Sequence, residues 1–157
     1  MRAVIQRVKH CSVTIEGRVH SKIGKGLMVL LGIVDDDTQE DIDFLAKKIV
    51  NLRVFDDANG VMNISVQDDM GDIMVISQFT LMAQTLKGNR PSYVKAARPE
   101  TAIPLYEKFI ETIGTLLNSK PENPKREIAT GVFGADMKVE LLNDGPVTIL
   151  MDSKRRE

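Results

Sequence analysis

The chain has 157 residues, 43% of them hydrophobic and 27% charged, with a formal net charge of -1. At about 150 residues per domain this predicts a single domain over 1–157, too apolar for disorder and too neutral for a histone-like polycation. One cysteine, two histidines and 4% aromatics exclude an internal disulfide, a three-histidine metal site within one chain and a surface of several base-stacking platforms.

In the opening stretch Val4, Gln6 and Val8 interleave with Ala3, Ile5 and Arg7, and Val13 and Ile15 follow, a strand pattern. Glu16-Gly17 reads as a turn and Val19 to Ile23 as a return strand. Gly26 to Val34 is a continuous apolar run, which predicts a strand buried on both faces. It is far short of the roughly 20 residues of a membrane-spanning helix. The opening MRAVIQRV lacks a signal peptide's apolar region, so with a lone thiol the expected compartment is the cytoplasm, with no membrane partner.

Asp35-Asp36-Asp37 invites a metal reading, but acidic residues also favour the start of a helix. Thr38 and Asp41 are spaced like a capping box, and Ile42, Leu45, Ala46, Ile49 and Val50 make one apolar helix face ending near Leu52. The helical reading is the stronger. Arg53-Val54-Phe55 reads as a short strand, Asp57 to Gly60 as a turn and Asp72 to Phe79 as a further strand. The polar stretch Ala83 to Arg98 is too long for an ordinary connection and is a candidate functional loop.

Pro99 to Leu117 predicts a second helix with a stripe of Leu105, Phe109, Ile113 and Leu116 or Leu117. Pro104 fits only if it lies in the first turn. Lys120 to Lys125 is a connector. Ile128 to Phe133, Met137 to Leu142 and Val147 to Met151 predict the final strands, with Asn143-Asp144-Gly145-Pro146 as a turn between the last two. The fold class is α/β: a single strand-rich domain, a mixed, mainly antiparallel sheet or barrel with two long helices.

Candidate chemistry is sparse. His10 and Cys11 are strand neighbours, pointing to opposite faces, so His10 is poorly placed to activate a thiol that reads as structural. His20 is isolated. Ser77-Gln78-Phe79-Thr80-Leu81 sets polar groups around an aromatic at the end of an apolar strand, where they either emerge into solvent or line a pocket for a small polar substrate. Gly145-Pro146 is either a plain trans turn or a cis bond. Lys87, Arg90, Lys95 and Arg98 lie in a stretch without an acid, and Arg2, Arg7, Lys9, Arg18, Lys22 and Lys25 face one acid, Glu16. Such runs are solvated surface or phosphate contacts, and a near-neutral chain can still carry a basic face.

Four segments occur in order along essentially the whole chain: MRAVIQRV, Ser77 to Leu81, Gly88-Asn89-Arg90-Pro91-Ser92, and Phe133-Gly134-Ala135-Asp136-Met137 through Asn143-Asp144-Gly145-Pro146-Val147-Thr148. Together they resemble the D-aminoacyl-tRNA deacylases. The resemblance implies that family's fold and hydrolysis of the ester joining a D-amino acid to the terminal adenosine of tRNA, with glycyl-tRNA also a substrate. It implies a homodimer with active sites at the subunit interface, and neither cofactor nor metal. By resemblance, Ser77, Gln78, Phe79 and Thr80 form the catalytic side of the pocket, and Phe133 and the Met137 main-chain carbonyl, which holds the ammonium, the substrate side. Gly145-Pro146 corresponds to a Gly-cisPro motif inserted from the partner subunit, whose carbonyls exclude an L side chain. Lys87, Arg90 and Lys95 are the candidates for tRNA contact. Thr80 is either a nucleophile or a hydroxyl donor. Without an evident histidine base, assistance by the RNA 2′-hydroxyl, with main-chain donors for the oxyanion, is the favoured route. The competing classes are a non-catalytic nucleic-acid-binding module and a metal-dependent hydrolase built on Asp35–Asp37.

Overall fold

The structure is a computed structural model and describes residues 1–156. Its strands are β1 (Arg2–Ile15), β2 (Arg18–Ile23), β3 (Gly26–Gly32), β4 (Arg53–Asp56), β5 (Met62–Ser65), β6 (Asp72–Ser77), β7 (Ala129–Thr130) and β8 (Met137–Asp152). Two helices, α1 (Gln39–Asn51) and α2 (Pro99–Leu117), complete the domain. The main sheet runs β2-β1-β3-β6-β7, with β8 paired to β1. Pairings to β1 are antiparallel, while β3–β6 and β6–β7 are parallel. The ends curl toward each other: Ser21 Oγ on β2 donates to the Thr130 carbonyl on β7 at 2.7 Å, nearly closing a barrel.

The apolar runs follow from a sheet buried on both sides. On β6, Ile73 and Val75 face one core while Met74 and Ile76 face the other. On β3, Leu27, Val29 and Leu31 alternate with Met28 in the same way. The smaller core also holds Val8, Cys11, Val13 and Ile23. Both helices cover the larger core. The predicted face of α1 is the buried one. Complete burial of each such Ile or Leu contributes roughly 1.5–3 kcal/mol.

Several boundaries differ from expectation. The run from Gly26 leaves the sheet after Gly32, and the next strand ends at Ser77 rather than Phe79. Its continuation is a 3-10 helix, Phe79–Met82, which local pattern did not signal. The hairpin partner β5 is a further difference: Met62–Ser65 alternates apolar and polar for only four residues, too short a run to mark a strand by itself. Only Ala129–Thr130 of the predicted Ile128–Phe133 strand is paired. On α2 the buried stripe is Ala102, Tyr106, Phe109, Ile113 and Leu117, so Leu105 and Leu116 flank it instead. Pro104 lies inside the helix, in its second turn. It is exposed, so water can reach the backbone acceptor its missing N–H leaves free.

The largest correction concerns Asn143 to Pro146. This is no hairpin turn. Both halves of β8 pair with the same strand: Asn143 lies opposite Val8 and Thr148 opposite Gln6. Residues 144–147 therefore loop out of one continuous strand as a bulge. The Gly145–Pro146 peptide bond in it is cis.

Candidate functional site

Parallel pairing brings the C-terminal ends of β3 and β6 out side by side. A cleft of about 340 Å³ opens there, lined on one side by Ser77, Gln78 and Phe79 and on the other by Phe133 to Met137. The Gln78 N–H donates to the Leu31 carbonyl at 2.7 Å, extending the pairing one residue past β6 before the chain turns into the 3-10 helix. Gly32 makes that turn possible. A Cβ there would sit 3.1 Å from the Gln78 carbonyl oxygen and 3.0 Å from Leu81 Cβ. On the far wall, a Cβ on Gly131 would meet Met137 Sδ at 2.3 Å, so glycine lets Met137 lie close.

Gln78 Nε2 donates to Thr80 Oγ1 at 2.5 Å. The Thr80 hydroxyl is thus held beside the cleft, which it does not itself line. Phe79 is 56% exposed. Its ring meets Tyr93 edge-on at 5.1 Å, tying the loop after the 3-10 helix to the rim. Phe133 packs against Tyr106, whose hydroxyl donates to the Val75 carbonyl at 2.7 Å.

Among the described residues, the one ionisable side chain lining the cleft is Asp136, exposed and paired with Lys138 at 2.7 Å. Burial pushes the Cys11 thiol up to about 11, and its Sγ lies 3.5 Å from Met74 Sδ, in the core. His10 and Cys11 do face opposite ways, one exposed and one buried. Asp37 is buried against the Met1 ammonium and accepts from the Val34 N–H at 2.9 Å. Asp41 accepts from the Thr38 N–H at 2.8 Å, as the capping-box spacing predicts. Asp37 thus serves the chain terminus and Asp41 the helix start.

The cleft gathers five of the sequence-named residues: Ser77, Gln78, Phe79, Phe133 and Met137. Gly145 and Pro146 do not line it and are exposed on the β8 bulge. Lys87, Arg90 and Lys95 are exposed on the long loop. The expected basic N-terminal face is largely neutralised. Arg2 pairs with Asp152 at 3.0 Å, Lys9 with Asp144 at 3.8 Å and Lys25 with Asp69 at 2.6 Å. Arg7 is buried, a role that only its place in an apolar alternation hinted at. Its guanidinium donates to the carbonyls of Val54 and Asp144, at the base of the bulge.

An apolar cleft with one exposed carboxylate offers little side-chain acid–base chemistry. Main-chain groups are what it presents. The opening N–H groups of a helical turn lack intrahelical acceptors. Here those belong to Phe79 and Thr80.

Comparison with known proteins adds sequence and fold relatives. Residues 4–152 match the family model described as D-Tyr-tRNA(Tyr) deacylase. The chain is 62% identical to a D-aminoacyl-tRNA deacylase of Bacteroides thetaiotaomicron and 64% identical to one of Parabacteroides distasonis, each over 100% of both chains. A solved structure described as c-Myc DNA Unwinding Element Binding Protein superposes with a TM-score of 0.86 at 43% identity, covering 97% of this chain and 98% of that one. Another, described as a probable eukaryotic D-amino acid tRNA deacylase, has a TM-score of 0.77 at 16% identity, covering 96% and 97%, and shows the shared fold alone.

Proposed function

The chain belongs to the D-aminoacyl-tRNA deacylases, and from that premise we propose how its cleft selects and cleaves its substrate. Its activity is that of a hydrolase freeing a D-amino acid from D-aminoacyl-tRNA. Beyond this we read glycyl-tRNA as a second substrate and the cytoplasm as the site of action.

D- and L-aminoacyl groups carry the same atoms, so a site separates them only by shape in a rigid chiral frame. We read Gly145 and Pro146 as that frame, their carbonyls excluding an L side chain. Glycine, with no side chain, passes. The observation that carries this reading is the separation of the two parts: the Ser77–Phe79 cleft lacks Gly145 and Pro146 of its own chain, while their bulge stands exposed. A second copy of the chain therefore supplies the bulge. An apolar patch supports a homodimer. Val4 lies opposite both Leu30 and Leu150 across the strands, and Leu150 is 64% exposed.

Within the cleft the Met137 carbonyl receives the substrate ammonium, and Phe133 lines the same wall. The Phe79 and Thr80 amides face the developing oxyanion. The RNA 2′-hydroxyl assists at the ester, and Thr80 orients rather than attacks. Lys87, Arg90 and Lys95 meet tRNA phosphates as it enters. No cofactor or metal takes part.

The test is side-by-side incubation with D-tyrosyl-, L-tyrosyl- and glycyl-tRNA. The expected result is ester loss well above the spontaneous rate for the D and glycyl substrates only. Equal loss of the D and L esters would overturn the filter. A second reading, nucleic-acid binding without catalysis, has one observation behind it, the likeness to a structure described as a DNA unwinding element binding protein. Spontaneous rates on all three substrates would leave that reading standing.

A further inference from the structure

Two further clefts, of about 500 and 210 Å³, adjoin each other and share Arg2, Asp152 and Arg155. One reaches Lys48 on α1 and Arg156; the other reaches Met82, the last residue of the 3-10 helix that carries Thr80, with Ala83 after it and Lys95 farther along the loop. Asp152 is the one carboxylate lining them, and Arg2 neutralises it at 3.0 Å. Lys154 pairs with Asp41 at 2.9 Å. Among the described residues, that leaves Lys48, Lys95, Arg155 and Arg156 with no ion-pair partner. Arg156 is not a loose surface charge. Its guanidinium lies 4.3 Å from the Phe44 ring centre and its Nε donates to the Ser153 carbonyl at 3.0 Å. Lys48 flanks the same ring at 5.9 Å. Two cations thus share one aromatic support.

We propose that Lys95, Arg155, Arg156 and Lys48 form a phosphate track that carries the acceptor-arm backbone of tRNA away from the cleft toward α1. The inference rests on the reading of the substrate as an aminoacyl-tRNA. The Arg2 guanidinium joins the two ends, donating to the Leu81 carbonyl at 2.7 Å while paired to Asp152. The chain just past Thr80 is therefore coupled directly to the start of the track. A polyanion displaces counterions from unpaired cations, and each contact steepens the salt dependence of binding. Leu150 of the Val4–Leu30–Leu150 patch lines the 500 Å³ cleft as well, while the four cations of the track lie on α1, the long loop and the segment after β8.

The test compares two substrates, D-tyrosyl-tRNA and 3′-O-D-tyrosyl-adenosine, which has no phosphodiester backbone. In the triple variant Lys48→Gln, Arg155→Gln, Arg156→Gln, KM for the tRNA rises about ten-fold at about 0.15 M salt, and the slope of log KM on log salt falls by about three. Turnover of the adenosine ester is unchanged. The charge-keeping variant Arg155→Lys, Arg156→Lys retains most of the tRNA affinity. Lys125→Gln, on the connector after α2, leaves KM unchanged. Unaltered KM and salt slope in the triple variant overturn the track, as does an equal loss in the charge-keeping variant or in Lys125→Gln. Failure of the unaltered protein to cleave D-tyrosyl-tRNA would instead defeat the deacylase reading itself.

Discussion

Arg7 Nε donates to the Asp144 carbonyl at 2.9 Å, one residue before Gly145. The same guanidinium reaches the Val54 carbonyl at 2.6 Å and Asp56 Oδ1 at 3.1 Å. Arg7 is 7% exposed, so these acceptors have little water to replace it. The bulge is thereby tied to β1 and to β4 at once. Arg7→Met leaves buried carbonyls unpaired and should cost about 2–4 kcal/mol, read by denaturant unfolding. Deacylation of D-aminoacyl-tRNA should fall further than the unfolded fraction explains. Arg7→Lys, keeping charge but losing the fork, should recover only part. Full activity in a folded Arg7→Met would show that the bulge does not need this anchor.

Thr80 Oγ1 accepts from Gln78 Nε2, and among the described residues no basic side chain lines the cleft beside it. Thr80→Ala should therefore keep substantial deacylation, with kcat reduced by about ten-fold or less. A tRNA ending in 2′-deoxyadenosine should react poorly with the unaltered protein. Complete loss in a folded Thr80→Ala dimer would point to Thr80 as nucleophile.

Leu150 stands beside Val4 on the sheet face proposed to meet a second copy. Leu150→Glu places a charge there and should shift the protein to monomer in sedimentation. Deacylation should fall with it, because each cleft lacks its own Gly145-Pro146. An active monomer would contradict the shared site.

Burial raises the Asp41 carboxyl, but hydrogen bonds from Ser153, Lys154 and the Thr38 main chain, with the Lys154 charge, hold it well below the usual carboxylate range. A depressed carboxylate stabilises the fold above its unfolded value, about 3.9, and loses that contribution as pH falls through its folded value. Asp41→Asn should lower Tm at pH 7. The gap to the unaltered protein should narrow once pH drops below about 4. A gap constant down to about pH 2 would place its origin in packing instead of charge.

The elements most visible in the sequence are those whose partners lie close along the chain or whose faces are uniform. The limits of α2 coincide with Pro99 and Leu117, as expected, because a proline opens the helix and the apolar spacing carries it. Burial of β3 on both faces is legible in its unbroken apolar run, whereas for β6 the sequence predicts a strand but not its two buried faces. The Ser77–Phe79 stretch was visible as a polar break at the end of such a run. Missed features depend on distant partners. β5 exists because Phe55 and Asp56 lie opposite Ile64 and Met62, not because of its own residues. Arg7 looks out of place until Asp144 and Val54 arrive from elsewhere in the chain.

Composition and periodicity decided the class of domain, the helices, the two-faced strands and the shortage of acid–base side chains. Those are properties of residue type and near-neighbour spacing. Only the fold decided that Asn143 to Pro146 is a bulge rather than a turn, since β8 continues past it along the same β1. It also decided that Ser77 and Phe133 share one cleft while Gly145 stands apart from it. Long-range register sets those relations. The order of residues along a strand is blind to which strand will lie beside it.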